Sequence, residues 1–70
     1  MTFTTRLNAE GVTLDKFIGL PLRNDGVVVG HAIAAEWEHG APERYAMVTF
    51  ETENLTFKNQ SLEVGSWKLL

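Results

Sequence analysis

The side chains able to carry chemistry in this 70-residue chain are few, and their spacing separates more of them than it joins. His31 and His39 are the only histidines, and there is no cysteine. In an extended segment, eight steps of about 3.3 Å hold the two imidazoles roughly 26 Å apart, too far to share one metal ion. Glu36, Glu38 and His39 form a denser set, but strand alternation sends His39 to the side opposite both glutamates. A solvated acidic edge is therefore expected there rather than a metal site. Ser61 and Ser66 are the only serines, and neither stands in a nucleophile-elbow setting. Glu51 or Glu53 could come opposite Glu36 or Glu38 on a neighbouring strand, giving two carboxylates of the kind glycosidases use. The simpler expectation is a charged rim that discourages edge-to-edge association. Gly19, Gly26 and Gly30 lack the spacing before a helix that a phosphate-binding loop needs. No catalytic residue, metal ligand or cofactor is expected.

Aromatic residues are the stronger candidates. Phe3, Phe17, Tyr45, Phe50, Phe57, Trp37 and Trp67 are too many to be incidental in a small core, and most are expected to be structural. Two of them sit beside acidic or turn residues, where an aromatic ring can anchor a partner: Trp37, between Glu36 and Glu38, and Tyr45, across the following turn. Glu36, Trp37, Glu38 and Tyr45 are the candidate partner-binding residues.

The elements that must position these residues read as strands. Phe3, Thr5 and Leu7 alternate with polar neighbours and predict a first strand. Asn8-Ala9-Glu10-Gly11 has turn chemistry, after which Val12 and Leu14 could continue a hairpin. Asp15 could cap one helical turn near residues 15–19, with Gly19 ending it at positive φ. Pro21, lacking a backbone donor, fits a sheet edge or the first residues of a strand. Asn24-Asp25-Gly26 is the strongest local signal, because Asp-Gly between extended segments suits a two-residue hairpin. From there alternation puts Val27, Val29, His31, Ile33, Ala35 and Trp37 on one face, expected to be the core face. A short helix over residues 31–39 is the rival, since alanine favours helix. Against it, Glu36 and Glu38 would oppose the dipole at the helix C-terminus. So long a strand is expected to bend near Gly30 or the alanines. Gly40-Ala41-Pro42-Glu43 predicts a turn and residues 44–51 the returning strand. Leu55 and Phe57 suggest a short strand, with a turn at Asn59-Gln60. The alternation then shifts between Leu62, Val64 and Trp67, Leu69, which predicts a β-bulge at Gly65-Ser66.

The whole is expected to be one all-β, mainly antiparallel domain over residues 1–70, a small β-barrel or strongly bent sheet of about five to seven strands. Hydrophobic content of 44% and charged content of 21% suit a folded chain rather than a disordered one. Nine acidic and six scattered basic residues give a net charge of −3, without the cationic surface that phosphate neutralisation needs, so nucleic acid is not an expected partner. No run approaches the roughly 20 apolar residues that cross a bilayer, and the first residues lack a signal-peptide core. A cytoplasmic protein with no membrane partner is expected.

Residues 17–32, Phe17-Ile18-Gly19-Leu20-Pro21-Leu22-Arg23-Asn24-Asp25-Gly26-Val27-Val28-Val29-Gly30-His31-Ala32, resemble the opening of PRC-barrel domains. Those show a glycine, an extended segment, an acidic-Gly turn and a Val-Gly step into a strand. Tyr45-Ala46-Met47-Val48-Thr49-Phe50 would be the paired strand, so the resemblance covers under half the chain. In style the sequence is also similar to many bacteriophage accessory proteins. What these resemblances imply is docking rather than catalysis. The expected function is a non-enzymatic protein–protein interaction or assembly module. Its partner would be a host protein, a virion component or a second copy of the chain, in the host cytoplasm or the virion. The alternative is a small-ligand-binding or carboxylate-dependent enzyme domain built on Glu36, Glu38, Glu51 and Glu53.

Overall fold

The computed structural model describes residues 1–53, 62–64 and 67–69. Six strands form one antiparallel sheet, curled into a half-barrel: β1 (Thr2–Asn8), β2 (Pro21–Asn24), β3 (Val27–Trp37), β4 (Tyr45–Thr52), β5 (Leu62–Val64) and β6 (Trp67–Leu69). Their spatial order is β1-β4-β3-β2-β5-β6. A 3-10 turn, Leu14–Lys16, is the one helical element among the described residues. The expected strand at Leu55 and Phe57 and the turn at Asn59-Gln60 lie outside the described residues.

Local chemistry accounts for the hairpins. Asp25 and Gly26 have φ of 56° and 84°, and Asn24 pairs with Val27 across them, the two-residue loop whose twist matches that of its strands. Pro21 is the first residue of β2, where its missing N–H interrupts no ladder between neighbours. On β1, Leu7 is buried and Phe3 and Thr5 are half-buried, as the alternation predicts. The Phe3 and Phe50 rings stack with centroids 5.4 Å apart.

The long strand β3 is shared between two partners. Its first half pairs with β2 and its second with β4, and Gly30 and His31 pair with both. Serving both neighbours bends it twice. Val29 is an extra residue opposite the step from Leu22 to Arg23, and Ile33 an extra residue opposite the step from Phe50 to Thr49. The bend expected near Gly30 or the alanines is therefore present. Strand structure runs to Trp37, which overturns the helical alternative for residues 31–39.

The bulges also correct the expected core face of β3. Between them the inward parity changes, so Ala32 is buried while His31 and Ile33 are exposed. Val29, Ala35 and Trp37 do pack against the core, but Val27, at the hairpin tip, is exposed. Gly30 is required by packing at the same place. A Cβ there would overlap the Glu51 carbonyl oxygen and lie 3.0 Å from Thr52 Cβ. The Thr52 hydroxyl, itself buried, donates to the Val29 carbonyl at 2.6 Å and ties the bulge to β4.

Three further expectations are corrected. Val12 and Leu14 do not extend a hairpin. Gly11, at φ 73°, turns the chain across the end of the sheet, and both side chains then pack on the core. Asp15 lies within the 3-10 turn rather than capping it; Thr13 holds the cap position and makes no side-chain capping bond. The turn thus begins just before the predicted 15–19, while Gly19 does take positive φ, at 85°. Gly65 and Ser66 lie outside the described residues, but Val64 pairs antiparallel with Trp67. Two paired strands, β5 and β6, stand where one bulged strand was expected.

The turn carries Phe17, which is fully buried and plugs the concave face over Leu22, Val48, Phe50 and Val64. Burying a ring of this size contributes about 2–3 kcal/mol, a large share for so small a core. The loop after it is pinned to β3 by Gly19 N–H to the Ala32 carbonyl at 2.8 Å and Ala32 N–H to the Leu20 carbonyl at 2.9 Å.

Candidate functional site

The sheet divides the four candidate partner-binding residues between its two sides. Glu36 pairs with Met47 and faces outward, whereas Trp37 pairs with buried Ala46 and faces the core side. Strand alternation alone forces this, since neighbours on an extended chain cannot share a face. Two distinct surfaces result at this end of the molecule.

On the outer face, Glu38 and Tyr45 meet through a residue from β1. Register places Arg6 opposite Met47 and Asn8 opposite Tyr45. The Arg6 guanidinium carbon lies 4.6 Å from the centre of the Tyr45 ring, and its Nη1 lies 3.6 Å from Glu38 Oε1. The Glu38 N–H donates to the Tyr45 carbonyl at 2.8 Å and closes the end of the β3–β4 pair. Arg6 side-chain exposure is 56%, so its ion pair is worth no more than about 1 kcal/mol, and the ring contact about 0.5–1 kcal/mol. Together they order an aromatic–cation–carboxylate cluster on a solvated surface. Sequence reasoning missed Arg6. The signal that finds it is its outward parity on β1 combined with the β1–β4 pairing.

On the core side, Trp37 lines an open groove of about 520 Å³. Half-buried Val12 and Leu14 line it together with exposed Thr13, Asp15 and Glu43. Residues 12–15 come from the chain crossing the end of the sheet after Gly11, and Glu43 comes from the β3–β4 turn at φ 66°. None of these five residues was a candidate from sequence, because only the turn at Gly11 brings them to Trp37.

A third feature is apolar exposure along β3 and the loop bonded to it. Ile18 is 50% exposed, Ile33 45% and Val28 58%. Ile18 and Ile33 are the chain neighbours of Gly19 and Ala32, which are joined by the 2.8 Å backbone bond, so the two side chains flank one junction.

The carboxylate pairing is corrected by the register. Glu36 stands opposite Met47 and His31 opposite Glu51, so Glu36 and Glu51 are four strand steps apart, roughly 13 Å. That exceeds the separation of about 5–9.5 Å at which two carboxyl groups act on one glycosidic bond. Glu51 instead lies 3.2 Å from the Met1 amine, and Glu53 is exposed beyond the end of β4. Among the described residues no three His, Cys, Asp or Glu side chains gather as metal ligands, and no helix is long and apolar enough to cross a membrane.

Comparison with family models, with curated proteins and with solved structures finds no match.

Proposed function

We propose that this chain is a non-enzymatic protein–protein interaction module whose docking surface centres on Ile18 and Ile33. The observation that carries the reading is the bulge at Ile33. It turns a large apolar side chain out of the core and holds it exposed beside a second one, Ile18, on a backbone fixed by two hydrogen bonds. A core built of so few residues gains by burying such side chains, and an apolar pair on rigid backbone loses little entropy when a partner covers it. In the outer cluster, Arg6 and Tyr45 add residue types enriched at binding hot spots. The similarity in style to phage accessory proteins makes a host protein or virion component the class of partner, with self-assembly as the other form of the same activity.

Light scattering over a range of concentrations tests self-association, and affinity capture tests a heterologous partner. Both are compared with the Ile18→Glu/Ile33→Glu double variant. The reading expects association that the double variant loses. A chain that stays monomeric, and captures nothing that the double variant does not also capture, contradicts it.

A further inference from the structure

We propose that the groove lined by Trp37 receives one arginine or lysine side chain of a partner polypeptide, an inference that rests on the protein-binding reading above. Its parts match the parts of a long cationic side chain. The half-buried Trp37 indole offers an aromatic ring to a cation. Val12 and Leu14, both packed against the core, offer apolar surface to a methylene stem. Asp15 and Glu43, exposed and brought together from two different turns, supply two carboxylates.

Charge decides the class of occupant. Among the described residues no lysine or arginine lines the groove, and neither Asp15 nor Glu43 is held in an ion pair. Phosphates and carboxylates would be repelled. A neutral apolar group would leave both exposed carboxylates without a partner. A side chain with an apolar stem and a cationic head satisfies apolar surface, ring and carboxylates together. The volume, about 520 Å³, accommodates such a side chain with part of its backbone. The groove is also open along one side, which suits a residue presented by a polypeptide better than a small free amine, since small ligands are held in sites that enclose most of their surface.

The test is a titration of the isotope-labelled chain followed by NMR. The probes are capped Gly-Gly-Arg-Gly-Gly, its lysine counterpart, its norleucine counterpart and free arginine amide. Saturable shifts are expected at the Thr13 and Leu14 amides and the Trp37 indole N–H with the arginine or lysine peptide, and none with norleucine. The Asp15→Asn/Glu43→Gln variant changes two exposed side chains and should weaken the cationic peptides about tenfold, and added salt should weaken them in the unsubstituted chain. Equal shifts with norleucine, no localised shift with either cation, or unchanged affinity in the double variant would overturn the proposal. Free arginine amide binding as tightly as the peptide would overturn its assignment to a polypeptide. The titration uses the chain alone, so it can fail while docking at Ile18 and Ile33 stands, and docking can fail while it succeeds.

Discussion

Gly30→Ala should destabilise the fold through one identifiable collision. Gly30 is paired to Leu22 on one side and Thr52 on the other, so neither neighbouring strand is free to withdraw. The added methyl would overlap the Glu51 carbonyl oxygen and stand 3.2 Å from the Glu51 carbonyl carbon, which are backbone atoms, and 3.0 Å from Thr52 Cβ. No rotamer change relieves a clash with backbone. Opposing it, alanine restricts the unfolded chain and so favours folding by about 0.4–1 kcal/mol. Overpacking costs about 1–3 kcal/mol; about 2–2.5 kcal/mol of this range suits a collision with backbone, which leaves a net loss of about 1–2 kcal/mol. A chain this size holds roughly 3.5–10 kcal/mol in all, so the loss is substantial. The midpoint of thermal unfolding should fall by roughly 4–16 °C, and urea denaturation should show a lower midpoint at unchanged slope. Thr52→Ala should not rescue the variant, because the tightest contact is to the carbonyl of the preceding residue. A Gly30→Ala midpoint equal to or above that of the unsubstituted chain would refute the close approach of β3 and β4 at Gly30, and with it the account of the bend.

Phe17→Ala removes the ring that plugs the concave face and should cost about 3–5 kcal/mol, read by urea denaturation; a loss under about 1 kcal/mol would mean the 3-10 turn is not packed as described. Glu43→Asn suits a residue held at φ 66° better than glutamate does and should stabilise by about 0.5–1 kcal/mol in thermal melts, while removing one carboxylate from the Trp37 groove. Arg6→Ala breaks both the Tyr45 ring contact and the Glu38 pair, and should cost no more than about 2 kcal/mol at low salt and less at high salt.

What was legible in the sequence was local. Asn24-Asp25-Gly26 sets its own hairpin because two adjacent residues tolerate positive φ, and Phe3, Thr5 and Leu7 reveal β1 by simple alternation. The inward face of β3 was not legible, because its bulges at Val29 and Ile33 arise from pairing with two strands at once, a non-local condition. The same holds for the meeting of Arg6 with Tyr45, which depends on the β1–β4 register. By contrast, the separation of Trp37 from Glu36 and Glu38 follows from alternation alone; grouping them by proximity in sequence obscured two surfaces as one. The groove lined by Trp37 depends on Gly11 turning the chain across the sheet end, where a hairpin was the locally reasonable alternative.

The central claim is that the bulge at Ile33 holds a docking surface outward, and site-directed photo-crosslinking tests it most directly. A benzophenone side chain at position 33 is compared with one at position 4, where Thr4 lies exposed among polar neighbours on β1. In cells producing the protein, position 33 should give a discrete adduct of defined mass that is abolished by Ile18→Glu, and position 4 should give none. No adduct from position 33 above the level seen from position 4 would contradict it.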